Sequence, residues 1–68
     1  MRTSARNQLE GTVSSVTIGA VMAEVVVQVG GQVVVAAITK DSAERLGLAE
    51  GTSVTAIIKA TDVMIGID

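Results

Sequence analysis

The feature that most restricts the fold of this 68-residue chain is its unbroken runs of apolar residues, Val25–Val27 and Val33–Ile38. Val is stiff at χ1 and packs well on a pleated sheet, so both runs predict strands. A strand with one face in water alternates apolar and polar residues, and these runs do not alternate. We therefore expect both faces to be covered, one by the curl of the sheet and the other by a second subunit.

The chain has few other means of stabilising a small core, because it contains no Cys and no His. Disulfides and thiolate metal sites are thereby excluded, and the commonest metal ligand and general acid–base is missing. Ordering the backbone and side chains costs about 1.5 kcal/mol per residue, which a core of this size roughly offsets. Small domains make up the difference with disulfides, metals or association. The composition therefore predicts an obligate homo-oligomer over a monomer with an aggregation-prone surface.

Several classes of partner are disfavoured by charge and composition. The net charge is −2 and there is no Phe, Trp or Tyr, whereas nucleic-acid binding needs a basic surface and usually stacking side chains. No apolar run approaches the ~20 residues that span a bilayer. No basic start followed by an apolar segment indicates a secretory signal. We expect no nucleic-acid partner, no membrane association and a cytoplasmic location.

Turn and cap signals predict one domain, residues 1–68, in the order β-β-β-α-β-β. The predicted strands are Leu9–Ile18, Val21–Val29, Gln32–Thr39, Ser53–Lys59 and Val63–Ile67. This order is that of an all-β, five-stranded Greek-key barrel of OB type with one short helix between strands three and four. An SH3-like barrel is the alternative, and the position of the helix favours the OB type.

Local signals specify the connections. Gly30-Gly31 predicts a type I′ hairpin turn, which needs positive φ at both central residues. Asp41 followed three residues later by Glu44 fits a capping box with Asp41 as the N-cap, and Gly47 is placed to end the helix. Gly11, inside the first strand, allows a bend or a close backbone approach.

Catalysis is not predicted. The seven carboxylates are scattered, without the paired environments that separate an acid from a base. A nucleophilic Ser has no His to act as its base. Gly30-Gly31 lacks the Lys and Ser/Thr of a phosphate-binding loop.

A few donors at strand ends are the informative polar residues. They are Ser4, Arg6, Thr39, Lys40, Ser42 and Lys59. Together they suit a small oxyanion, because they offer hydroxyls, a guanidinium and an ammonium without any metal or base. Each also has a structural explanation: an edge lysine against aggregation, a helix cap, a strand residue or a disordered tail. The residues alone leave both interpretations open.

Three segments, Thr3–Leu9, Ile38–Leu48 and Ile58–Ile65, together resemble the Mop family, the molbindins. The same fold forms the molybdate-binding domains of molybdate-responsive regulators and of transporter ATPases. The resemblance covers essentially the whole chain. It implies an OB-type barrel, a hexamer built as a trimer of dimers, and intracellular storage of molybdate or tungstate at subunit interfaces, with no catalytic cofactor and no directly ligated metal cation.

The resemblance also implies the site residues. One subunit contributes Ser4, Ala5 and Arg6, and its partner contributes Thr39, Ser42, Lys59 and Ala60. Ala5 and Ala60 are expected to act through their backbone N–H groups. A second oxyanion site, near the threefold axis, is placed at the turn formed by Gly19, Ala20 and Val21.

Two other functions stay open at this point. One is an oligomeric structural or interaction module that binds no anion. The other is an OB-fold nucleic-acid binder, which the acidic composition and the missing aromatic residues disfavour.

Overall fold

A computed structural model describes residues 1–68. It is mostly β-structure with one short helix. The strands are β1 (Asn7–Ile18), β2 (Met22–Val29), β3 (Gln32–Thr39) and β4 (Ser53–Ile58), and the helix α1 (Lys40–Arg45) lies between β3 and β4. The first four predicted strands and the position of the helix are therefore confirmed to within two residues at the strand ends.

The strands form one antiparallel sheet in the order β3-β2-β1-β4. In this order the fourth strand returns beside the first, which is the Greek-key arrangement that was predicted. A register shift in β1 between Val13 and Ser15 bends this long strand. The first half of β1 can thus pair with β4 and the second half with β2.

The core is very small. Only 5 of 68 residues are buried, and the cluster at its centre consists of Val13, Val25 and Val27. The valines of β3 that point to the other face, Val33 and Val35, are 56% and 59% exposed. A single copy of the chain thus covers only one face of the strands, and the second face stays in water.

Helix α1 begins two residues earlier than the predicted capping box requires. The N-cap is Thr39, not Asp41, and its side chain accepts a hydrogen bond from the Ser42 N–H. Thr39 is the better cap because it ends β3 in an extended conformation, as an N-cap residue must be, while Asp41 already lies in the first turn.

The end of α1 follows the prediction. Gly47 has φ +64°, and the N–H groups of Gly47 and Leu48 donate to the carbonyls of Glu44 and Ala43. This is the Schellman arrangement, which needs a left-handed residue.

The hairpin turn lies where the Gly-Gly pair predicts it, between Val29 and Gln32. Its type differs from the prediction, because only Gly30 has a positive φ, of 58°. A type I′ turn needs two such residues.

The predicted fifth strand is not formed in the single protomer. After β4 the chain makes a 3₁₀ turn at Ala60–Asp62, and Val63–Ile67 has no strand partner. A strand exists only where a neighbour accepts and donates its backbone hydrogen bonds, and no strand of this protomer pairs with the residues after the 3₁₀ turn. The sheet is therefore open between its two edges, β3 and β4. No helix is long and apolar enough to cross a membrane.

Gly11 is a position where the fold has no room for a side chain. A Cβ added there would overlap the Gln28 carbonyl oxygen and approach Val27 Cγ1 to 2.8 Å. We expect Gly11→Ala to lower the free energy of unfolding by about 1–3 kcal/mol, the usual cost of overpacking. Gly31→Ala is the control, because nothing lies within 4 Å of its added Cβ and its φ is not positive. Equal urea midpoints for the two variants would contradict the prediction.

Candidate functional site

The N-terminal motif and the segment after β4 lie at the same end of the sheet. Asn7 pairs with Ile58, and Asn7 Nδ2 donates to the Ile58 carbonyl at 3.2 Å. Arg6 directly precedes Asn7, and Lys59 directly follows Ile58. Two exposed cationic residues, Arg6 and Lys59, therefore lie at the adjacent ends of the neighbouring strands β1 and β4 within one protomer. The resemblance implied that Lys59 and Ala60 are contributed by the partner, and that division between copies stays a prediction.

The segment carrying Ser4 and Arg6 is held by local hydrogen bonds. Gln8 Nε2 donates to the Ala5 carbonyl at 2.7 Å. The Ala5 N–H, an expected anion donor, donates to Thr3 Oγ1 at 3.2 Å. An anion could accept a hydrogen bond from this N–H only by displacing Thr3 Oγ1. The side chains of Ser4 and Arg6 are exposed and could donate to an anion without breaking that bond.

Ala60 lies at the start of the 3₁₀ turn, where N–H groups lack partners within the turn. The first N–H bonded within it is that of Asp62, which donates to the Lys59 carbonyl at 2.9 Å. Lys59 and Ala60 are both exposed. The Ala60 N–H is thus free to act as the backbone donor that the resemblance implied.

Thr39 and Ser42 lie at the opposite end of the sheet. Thr39 pairs with Met22 at the end of β3, and its hydroxyl donates to Ser42 Oγ at 2.8 Å. Met22 precedes Ala23, which pairs with Ile18, the last residue of β1. β1 is 12 residues long, and at about 3.3 Å per residue roughly 36 Å of strand separate its two ends. One protomer therefore does not bring Thr39 and Ser42 to Arg6.

The turn at which the resemblance places a second oxyanion site is close to α1. The Gly19 N–H donates to the Met22 carbonyl at 2.7 Å, and the Lys40 N–H donates to the Val21 carbonyl at 2.7 Å. The Gly19 N–H is thus engaged, so that only Ala20 and Val21, both exposed, could offer backbone donors to an anion.

Sequence reasoning missed one polar contact near Ser42. Arg45 Nη2 donates to Ser42 Oγ at 3.4 Å. The contact was predictable from the sequence, because Ser42 and Arg45 are three residues apart on one helix and such residues lie on the same face.

A sequence profile of the TOBE domain matches residues 3–65. The chain belongs to the TOBE domain family. Among its relatives is molybdenum-pterin-binding protein 3 of Clostridium pasteurianum, which is 56% identical over 66 residues, covering 96% of this chain and 97% of that protein. Relatives of this kind confirm the resemblance to the molbindins that the three motifs indicated.

Solved structures agree with this assignment. A molybdate-binding protein from Sporomusa ovata superposes with a TM-score of 0.93 at 45% identity, covering 98% of this TOBE chain and 100% of that one. The cytoplasmic molybdate-binding protein ModG, with molybdate bound, has a TM-score of 0.85 at 48% identity, covering 88% of this chain and 43% of ModG. This chain therefore matches less than half of the ModG chain.

Proposed function

We propose that this chain binds molybdate or tungstate at interfaces between copies of itself and so stores the oxyanion in the cytoplasm. The observation that carries the proposal is the placement of Arg6 and Lys59 side by side at one end of β1 and β4. The relatives support the ligand, because they are named as molybdenum-pterin-binding and molybdate-binding proteins. The description of ModG as cytoplasmic supports the location.

The charge of the ligand explains why two cations are needed. Molybdate is a dianion at neutral pH, and burying it without compensation would be prevented by its desolvation. Arg6 and Lys59 match its charge, and Arg6 adds a planar fork of N–H donors. No catalytic step and no resident cofactor enter this function.

The donors come from two copies in this proposal. Arg6, Lys59, Ser4 and the N–H groups of Ala5 and Ala60 form one half of the site. The other half consists of Thr39 and Ser42, which lie at the far end of the same protomer and can reach this anion only from a neighbouring copy. The site is therefore complete only in the assembly.

Assembly also accounts for the open sheet. The segment Val63–Ile67 carries Met64, Ile65 and Ile67 at 92%, 88% and 94% exposure. Between the edges β3 and β4 the sheet leaves a cavity of about 750 Å³ with mostly apolar walls. We propose that Val63–Ile67 becomes the fifth strand of a closed OB-type barrel on association with another copy. The complete particle is a hexamer, a trimer of dimers, with the Gly19–Val21 turn forming the second oxyanion site near the threefold axis.

Titration calorimetry with molybdate, tungstate and sulfate tests the function. Sulfate has the same shape and charge as molybdate but is smaller, so we expect cavity size to favour the two larger anions. At a free concentration of 100 times Kd, molybdate should add about 2.7 kcal/mol to the stability of the folded state and raise Tm. Native mass spectrometry should show six subunits and the bound anions.

One combination of results would refute the proposed function. If molybdate produces no binding heat and leaves Tm where sulfate leaves it, while native mass spectrometry still shows an oligomer, the chain is a structural module and the proposal is wrong.

A further inference from the structure

Two side-chain amides that follow each other at the start of β1 each hold a backbone carbonyl. Asn7 Nδ2 donates to the Ile58 carbonyl at 3.2 Å. Gln8 Nε2 donates to the Ala5 carbonyl at 2.7 Å. A backbone carbonyl carries no hydrogen and only accepts, so the amide nitrogen is the donor in both bonds and neither bond can run in the other direction.

The carbonyl that each amide holds belongs to the peptide group directly before one of the two cations. The Ala5 carbonyl and the Arg6 N–H lie in one peptide group, which is planar. The Ile58 carbonyl and the Lys59 N–H lie in another. Each bond therefore restrains the backbone from which one cationic side chain extends.

This end of the sheet needs such a restraint. The pair formed by Asn7 and Ile58 is the last one between β1 and β4, and the ends of paired segments open most readily. Arg6 and Lys59 carry like charges, whose repulsion favours their separation when no anion lies between them. An anion that had to order both segments would bind more weakly, because the cost of ordering reduces the free energy of binding.

We propose that the two amides are positioning residues for the oxyanion site, which hold both cations in place before the anion binds. Asn7 acts through Lys59. Gln8 acts through Arg6. This inference rests on the proposed function and deepens it, because it adds two residues that do not touch the anion to those that do.

Variants of similar size that cannot donate a hydrogen bond test this role. Calorimetry gives the molybdate Kd of Asn7→Leu and of Gln8→Met. We expect each variant to weaken binding about fivefold, the factor that corresponds to the usual net contribution of one hydrogen bond. Gln28→Met is the matched control, because it removes a bond of the same kind, from Gln28 Nε2 to the Gly30 carbonyl at 3.2 Å, beside the hairpin turn. Its Kd should stay within about twofold of that of the unaltered chain.

Double-mutant cycles distinguish positioning of the cations from a general effect on the fold. Asn7→Leu is combined with Lys59→Ala, and Gln8→Met with Arg6→Ala, and both pairs are titrated with molybdate up to millimolar concentration. We expect the effect of each amide variant to fall below about twofold once its own cation is absent, because coupled residues are not additive and independent ones are.

The outcomes separate this inference from the function on which it rests. If the two amide variants bind molybdate within about twofold of the unaltered chain, or weaken binding equally with and without their cations, the inference is overturned. If the unaltered chain binds no molybdate, the proposed function itself fails and the inference falls with it. Circular dichroism checks that each variant folds. Asn7→Ser, whose side chain is too short to hold the Ile58 carbonyl, replaces Asn7→Leu if the latter does not fold.

Discussion

Arg6→Ala and Lys59→Ala are each expected to weaken molybdate binding by at least about 100-fold. Removing one partner of a buried charge pair costs about 3–5 kcal/mol, because the remaining charge is left uncompensated. In the proposed site the dianion would keep only one cation in either variant. Calorimetry at constant ionic strength measures the change in Kd.

Two controls make this result specific. Arg2→Ala removes the same charge four residues before Arg6 and should change Kd by less than about threefold, since exposed charges are screened by salt. Arg6→Lys keeps the charge but loses the planar fork, so we expect a loss smaller than that of Arg6→Ala. Binding by both alanine variants at the unaltered affinity would refute the assignment of the site.

Ile65→Asp is expected to break the oligomer into single subunits. Ile65 is 88% exposed in the protomer, and in the proposed assembly its side chain is buried. Full burial of an Ile side chain is worth about 1.5–3 kcal/mol, and burying an unpaired carboxylate in its place adds a larger penalty. Because each copy in a symmetric particle carries the change, the penalty is repeated at every equivalent contact. Analytical ultracentrifugation at micromolar concentration measures the subunit number.

Gln32→Asp is the matched control for this experiment, because it adds the same charge at an exposed position next to the hairpin turn. We expect it to sediment like the unaltered chain. An Ile65→Asp variant of unchanged size would show that Val63–Ile67 lies outside the interface. A monomeric unaltered chain would remove the basis for interfacial sites altogether.

Local sequence signals predicted the elements whose hydrogen bonds are local. Three features were predictable from the sequence: the β2–β3 hairpin, the glycine that ends α1 and the close approach at Gly11. Each depends on a backbone conformation or a side-chain size that the residue itself supplies. The N-cap was misplaced by two residues, since Thr39 and Asp41 both favour caps. Only the end of β3 decides between them.

The arrangement of segments that are far apart in the sequence was not predictable from local signals. Both Lys59 and Val63–Ile67 follow β4, yet the sequence could not say that Lys59 lies beside Arg6 of the same protomer or that Val63–Ile67 has no partner there. Such placements depend on register between residues more than 50 positions apart, as in the pairing of Asn7 with Ile58. No local preference encodes that register, because it is set by packing and by the bend in β1.

By itself, the amino-acid sequence determined that this chain is a small β-domain with an unusually apolar surface, since an excess of β-branched residues without aromatic, Cys or His residues leaves few other solutions. The tertiary structure alone decided which donors share one end of the sheet, which lie at the opposite end, and which apolar segment is left uncovered. The physical reason is that the type of a residue determines its local backbone preference and its hydrogen-bonding groups. The pairing of strands that are far apart in the sequence determines which of those groups come together in space.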